Sequence, residues 1–147
     1  MKIKDNDVQV GGDNSTQTAG NDSTQKAGNF STQTAGSKST QTSGNFSTQV
    51  ADDDSTQIAG DGSIQTAGDD STQIAGWGSN QTIGDNSTVT ACVWKEYINT
   101  ITAGKNTKIV AINTETRESS TLTTKEAGKT YQVSGDCVIR EVKEGEK

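Results

Sequence analysis

The sixteen residues from Ser31 to Phe46 read STQTAGSKSTQTSGNF, which is one octad written twice. The unit x-x-S-T-Q-T-A-G recurs without insertion from residue 13 to residue 91, so that a serine returns every eight residues. Such a short fixed period is typical of solenoids, in which each repeat stacks on its neighbours. The glutamine of each unit follows its serine by two places, at Gln17, Gln25, Gln33, Gln41, Gln49, Gln57, Gln65, Gln73 and Gln81.

Each octad divides into a strand and a turn. The Thr-rich S-T-Q-T-A stretch favours an extended strand, and the following residues, such as Gly60-Asp61-Gly62, favour a turn. The residue before each Ser falls into two alternating series, one of which holds both Phe30 and Phe46 while the other is polar throughout. Two octads therefore make one coil. We predict an all-β fold, a parallel β-solenoid of about five 16-residue coils with a small C-terminal β cap.

The alternation of side chains along a strand decides what lies inside. Ser15, Gln17 and Ala19 share one face of their strand, and the two Thr places share the other. The second Thr place also takes Lys26, which would be costly to bury without a partner. We therefore expect Ser, Gln and Ala inside, with the Gln amides forming a structural ladder between coils. Apolar residues at some Thr places, such as Ile58, argue for the opposite orientation.

The octad disappears at Cys92. Residues 1–91 carry 4 basic and 11 acidic residues, whereas residues 92–147 carry 9 basic and 8 acidic ones. Four runs of the second segment are predicted strands: Val93–Ile101, Lys108–Ile112, Thr130–Val133 and Cys137–Val142. We divide the chain into an N-terminal lead with a degenerate first repeat (1–12), the octad solenoid (13–91) and a capping segment (92–147). A cap is expected because an exposed solenoid end would polymerise.

The two cysteines, Cys92 and Cys137, both lie in the capping segment. They either form one disulfide or stay as buried thiols in a reducing cytoplasm. We favour the thiols, because the N-terminus lacks the apolar run of a secretory signal peptide. The expected location is therefore cytoplasmic, with association with a surface or a virion as open alternatives.

Composition excludes several functions. The chain has no apolar run near 18 residues, which argues against a membrane span. It has no histidine and only two cysteines, which argues against a zinc or iron–sulfur site, so we predict no metal and no cofactor. The net charge of −6 argues against nucleic acid as a partner. Without a histidine-activated nucleophile or a recognisable acid–base pair, the chain is not expected to be an enzyme.

The units Gly68-Asp69-Asp70-Ser71-Thr72-Gln73 and Gly76-Trp77-Gly78-Ser79-Asn80-Gln81-Thr82 resemble the repeats of bacterial ice nucleation proteins. The resemblance covers residues 5–91. It implies a β-solenoid with sixteen-residue coils and outward T-x-T pairs that order water into an ice-like array. Short S-T-Q-T-A-G repeat proteins of bacterial and phage genomes are also similar.

Two functions follow from these observations. The first is non-catalytic ordering of water or binding of ice by outward Thr side chains, with ice or ordered water as the partner. The alternative is a structural, assembly or interaction solenoid that forms homo-oligomers through an open solenoid end or binds a macromolecule or small ligand. A phage origin of the gene is one form of this alternative. The residues predicted for ice or water binding are Thr16, Thr18, Thr24, Thr32, Thr34, Thr40, Thr42, Thr48, Thr88 and Thr90.

Overall fold

The computed structural model describes residues 3–143 and shows an all-β solenoid in that range. Residues 1, 2 and 144–147, which belong to the predicted lead and cap, lie outside the described residues. Two eight-stranded sheets face each other. Sheet A contains, in spatial order, β1 (Val8–Val10), β3 (Thr24–Lys26), β5 (Thr40–Thr42), β7 (Thr56–Ile58), β9 (Thr72–Ala75), β11 (Thr88–Val93), β13 (Lys108–Asn113) and β14 (Ser119–Thr123). Sheet B contains β2 (Thr16–Thr18), β4 (Thr32–Thr34), β6 (Thr48–Val50), β8 (Ile64–Thr66), β10 (Asn80–Ile83), β12 (Asn99–Ala103), β15 (Lys129–Val133) and β16 (Ile139–Glu141).

The predicted coil of two octads is confirmed. Consecutive octads enter opposite sheets, and neighbouring strands of one sheet run parallel with a sixteen-residue offset, so that Gln17 lies opposite Gln33. The same offset holds along sheet A, where Gln25 lies opposite Gln41. Every repeat position therefore forms a straight column along the solenoid axis.

The solenoid has about seven turns, two more than the sequence predicts. Parallel stacking continues beyond the last octad, because β12 pairs with β10 and β13 pairs with β11. Here the offset is twenty residues, with Asn80 opposite Thr100. The four additional residues enlarge the turn between β11 and β12, which interrupts the predicted strand Val93–Ile101.

The strand pairing becomes antiparallel at the C-terminal end. β14 pairs with β13, and β15 pairs with β12, each with reversed direction. β16 then pairs with β15 and becomes the last strand of sheet B. β14 was not among the predicted strands, because its Ser-rich sequence Ser119–Thr123 lacks an apolar pattern.

The Gln side chains form a hydrogen-bonded ladder through the interior. The Nε2 atom of Gln41 donates to Gln25 Oε1 at 2.9 Å and to the carbonyl of Val50, on the facing sheet, at 3.0 Å. Its Oε1 atom accepts from Gln57 Nε2 at 2.8 Å. The Gln side chains from Gln25 to Gln73 are 0% exposed, so these bonds form away from water. The narrow interior is thus held by amides that connect successive coils and both sheets.

The interior becomes apolar where the Gln ladder ends. Val89 and Ile101 occupy the columns of Gln73 and Gln81, and both are 0% exposed. They belong to a continuous apolar cluster whose other large members are Ile83, Val93, Ile109, Tyr131, Val133 and Cys137. Gln73 Oε1 and Gln81 Oε1, at the last rungs, are buried without a partner. Each such unpaired acceptor costs about 1–3 kcal/mol.

Turns are fixed by a second ladder of Asp and Asn residues. The Oδ1 atom of Asp53 accepts a hydrogen bond from the backbone N–H of Asp69, one coil later, at 2.8 Å. The residue after this Asx place adopts a positive φ, as in Asp54 at 57° and Asp70 at 53°. The left-handed residue of the turn is therefore the one before the Ser, and the octad Gly serves a different purpose.

The octad Gly makes room for the Asx ladder. A Cβ atom built on Gly68 would lie well inside van der Waals contact of Asp53 Oδ1 and 2.9 Å from the Asp53 backbone nitrogen. Nine glycines of the solenoid, from Gly20 to Gly104, meet an Asp or Asn of the preceding coil in this way. The two octads without an Asx at this place have Ser37 and Trp77, and fifteen residues after each the Gly is replaced, by Asp52 and Cys92. Gly and Asx therefore change together within this chain.

Candidate functional site

The outer face of sheet B is rich in threonine and carries no charge between β2 and β12. Six strands each present two outward positions, and nine of these twelve positions are Thr. The three others are Val50, Ile64 and Asn80. The nine, which we call the sheet B Thr face, are Thr16, Thr18, Thr32, Thr34, Thr48, Thr66, Thr82, Thr100 and Thr102.

The spacing of this face is set by the backbone. Thr32 and Thr34 lie on one strand with Gln33 buried between them, which separates outward neighbours by about 6.7 Å. Rungs repeat at about 4.8 Å, because parallel strands pair at that distance. Since Thr is β-branched and its χ1 angle is restricted, the methyl and hydroxyl groups form an ordered two-dimensional array.

The outer face of sheet A is less uniform. Its outward columns include Lys26 and Lys108 as well as the apolar Val10, Ile58 and Ile74. The ten predicted Thr residues divide equally between the sheets, because consecutive octads enter opposite sheets. Thr16, Thr18, Thr32, Thr34 and Thr48 lie on sheet B, and Thr24, Thr40, Thr42, Thr88 and Thr90 lie on sheet A.

Four residues of the sheet B Thr face were missing from the predicted set. Thr66 and Thr82 share their strands with Ile64 and Asn80, so a search for complete T-x-T pairs passes over them. Thr100 and Thr102 form a T-x-T pair, but the four-residue insertion moves them out of the octad period. Thr102 Oγ1 also lies 3.0 Å from Thr130 Oγ1 on β15, within hydrogen-bonding distance. Columns read at sixteen residues would have found Thr66 and Thr82.

The two ends of the solenoid differ. At the N-terminal end, β1 and β2 each pair with one neighbour, β3 and β4, and their outer edges face no strand among residues 3–143. Val8 and Val10 on β1 are 72% and 77% exposed. At the other end, Lys129 Nζ lies 3.4 Å from Glu126 and 3.6 Å from Glu141 of the edge strand β16. These two carboxylates, Glu126 foremost through its hydrogen bond, raise the pKa of Lys129.

Reactive and metal-binding groups are sparse in the described range. No group of three or more Asp, Glu, Cys or His side chains is placed to hold a metal ion within residues 3–143. Cys92 and Cys137 are free thiols. Burial, followed by the charge of Asp61, raises the pKa of Cys92, which disfavours its thiolate. In the same part of the chain, no helix has the length and apolar character required to span a membrane.

Comparison of the chain with family models, with curated proteins and with solved structures finds no match.

Proposed function

We propose that the protein is a non-catalytic solenoid whose sheet B Thr face orders water and binds ice. The observation that supports this proposal is the uncharged face itself, with Thr at nine of twelve outward positions in straight columns. Charged side chains hold water in their own hydration shells, whereas a rigid lattice of methyl and hydroxyl groups leaves neighbouring water free to adopt a regular array. The interior Gln ladder keeps this lattice rigid, because it ties each coil to the next.

Ice shaping by two matched variants tests this proposal. Thr34 is exposed on sheet B, and Thr42 takes the equivalent place in the next octad on sheet A. Thr34→Lys should abolish faceting of growing ice crystals, because it places one ammonium in the middle of the lattice. Thr42→Lys adds the same charge to the other sheet and should leave faceting unchanged. Crystal habit and thermal hysteresis give the readout, and circular dichroism checks that both variants are folded.

Two outcomes would refute the proposal. Round ice crystals with the unmodified protein would remove the activity altogether. Equal loss of shaping in both variants would show that the sheet B Thr face has no special part in it.

The open N-terminal end supports a second function, assembly with another copy of the chain. Edge strands present unpaired backbone groups that pair readily with a further strand. The C-terminal end also finishes in edge strands, β14 and β16, but β1 at the N-terminal end exposes the apolar Val8 and Val10. The expected contact is therefore between two N-terminal ends, which gives a symmetric dimer. Such a dimer would also lengthen the Thr array.

Light scattering after size-exclusion chromatography tests the assembly. The unmodified chain should have the mass of a dimer, and Val10→Lys should shift it to a monomer by placing a charge beside the edge. Ile58→Lys adds the same charge to the same sheet A column, three coils further on, and should leave the dimer intact. A monomeric unmodified chain, or a dimer that survives Val10→Lys, would contradict pairing through this end.

A further inference from the structure

One edge of the solenoid collects most of its aromatic residues. The turns that lead into sheet B carry five of the six aromatic side chains of the sequence. Phe30 and Phe46, sixteen residues apart, stack with ring centroids 5.4 Å apart. Trp77, Trp94 and Tyr97 form a separate group further along, which we call the aromatic cluster. The proposed water-ordering function uses none of these rings.

The aromatic cluster exists because of the four-residue insertion. The enlarged turn places Trp94 and Tyr97 beside Trp77 of the preceding coil. The centroids of Trp77 and Tyr97 are 4.0 Å apart, and the rings of Trp94 and Tyr97 are almost parallel, inclined by 9° with centroids 6.0 Å apart. Gly78 lies beside Tyr97 and supplies the positive φ of the turn, 69°, while a Cβ atom there would be in ordinary van der Waals contact with Tyr97 Cδ1 at 3.7 Å. A regular sixteen-residue coil would not bring these three rings together.

The polar end of Trp94 is fixed by a carboxylate. Trp94 Nε1 donates a hydrogen bond to Glu115 Oε2 at 2.9 Å. This bond orients the indole while its rim remains part of an open cleft lined by Trp94, Lys95, Glu96 and Tyr97. Tyr97 is 43% exposed. The cleft is therefore a preorganised aromatic surface that a ligand can reach from solvent.

The cleft already holds a cation on one ring. Lys95 Nζ lies 4.0 Å from the centroid of the Trp94 ring system, a geometry in which the ring quadrupole attracts positive charge. Three carboxylates surround the cluster: Glu96 lines the cleft, Glu115 holds Trp94, and Asp61 accepts from the Trp77 backbone at 3.0 Å. With three carboxylates against one ammonium, the local field favours a cationic ligand.

We propose that the aromatic cluster binds a ligand carrying a trimethylammonium group, and that Lys95 occupies this place in the free protein. A trimethylammonium group is large and weakly hydrated, which suits an aromatic surface beside carboxylates. The Lys95 ammonium is compact and strongly hydrated, and its residue is exposed, so returning it to water costs little. The ligand therefore displaces Lys95 and gains contact with several rings at once.

Choline is the probe for this proposal, and its neutral analogue with a tert-butyl group in place of trimethylammonium is the control. Both tryptophans of the chain belong to the cluster, so their fluorescence reports on the site. At constant ionic strength, choline should change the fluorescence saturably with a Kd of about 1 mM or below. The neutral analogue should bind at least about fivefold more weakly, because only the charge differs. Equal binding of the two compounds overturns the proposal. So does the absence of choline binding at concentrations up to about 100 times the expected Kd.

Three variants should change choline binding in three different ways. Lys95→Gln should tighten choline binding about two- to fivefold, because it removes the competing cation. Trp94→Leu should abolish it, as followed by the line width of the choline methyl proton signal, which does not depend on tryptophan. Phe46→Leu, on the same edge outside the cluster, should leave binding unchanged. Weaker binding in Lys95→Gln, or unchanged binding in Trp94→Leu, contradicts the assignment.

Discussion

Gly68→Asp should lower the free energy of unfolding by about 3 kcal/mol, the upper range for adding atoms to a packed site. Any Cβ atom at this position collides with Asp53 Oδ1 and comes within 2.9 Å of the Asp53 backbone nitrogen. Neither group can withdraw freely, because Asp53 Oδ1 accepts from the Asp69 backbone at 2.8 Å and the nitrogen belongs to the turn. Gly12→Asp is the matched control, since a Cβ atom there meets nothing within 4 Å. Urea unfolding followed by circular dichroism gives both values.

A second substitution should recover part of this loss. Asp53→Ser together with Gly68→Asp recreates the natural combination of Ser37 and Asp52 without changing the net charge. Asp53→Ser alone should cost about 1 kcal/mol, the value of the lost hydrogen bond. We expect the double variant to be more stable than the sum of the single effects by at least about 1 kcal/mol. Strictly additive effects would show that Gly and Asx do not depend on each other.

Gln41→Leu should cost about 3 kcal/mol or more, although Leu has nearly the same volume. The substitution leaves two buried groups without a hydrogen-bond partner, namely Gln25 Oε1 and one N–H of Gln57. Each loses about 1–3 kcal/mol when unpaired inside the protein. The Val50 carbonyl loses one of its two hydrogen bonds and keeps the one from the Ala35 N–H at 2.9 Å. Because no cavity is created, the loss can be assigned to the amide ladder itself.

Gln81→Leu is the corresponding control at the end of the ladder. Gln81 donates to Gln65 Oε1 at 3.1 Å, but its own Oε1 already lacks a partner. Ile101 of the apolar cluster lies next to it in the column. With Leu at this position, one hydrogen bond is lost and Gln65 Oε1 replaces Gln81 Oε1 as the unpaired acceptor. The number of unpaired groups does not change, so the cost should be about 1 kcal/mol, the value of the lost hydrogen bond. Equal destabilisation by Gln41→Leu and Gln81→Leu in urea unfolding would mean that the ladder contributes no more than volume.

The repeat made most of the fold predictable. The octad period and the two alternating series of residues before each Ser predict a coil of two octads. The cost of burying Lys26 places the Thr positions outside, and Ser, Gln and Ala are indeed inside. Register then needs no further information, because identical strands stack with identical neighbours. The number of turns was underestimated, since the stacking of β12 and β13 depends on Val89, Ile101 and Ile109 replacing Gln, and apolar residues also suit a separate cap.

The candidate site was predictable only in part. The alternation of side chains along a strand predicts that the Thr residues lie on the surface. A complete T-x-T pair does not indicate to which of the two sheets it belongs. Thr34 and Thr42 look equivalent in the octad and lie on opposite faces of the molecule. The aromatic cluster could not be predicted from the sequence, because it depends on how a four-residue insertion folds back over Trp77.

The sixteen-residue offset also restricts how such a gene can change in length. Loss or gain of a single octad would send every later unit to the other sheet, so that Lys26-type positions and Thr34-type positions would exchange faces. An insertion or deletion within the repeats must therefore be a multiple of two octads, in addition to being a whole number of codons. Gain or loss of coils that preserves both faces must occur in whole pairs, and the four residues added before β12 preserve the columns only because a turn absorbs them.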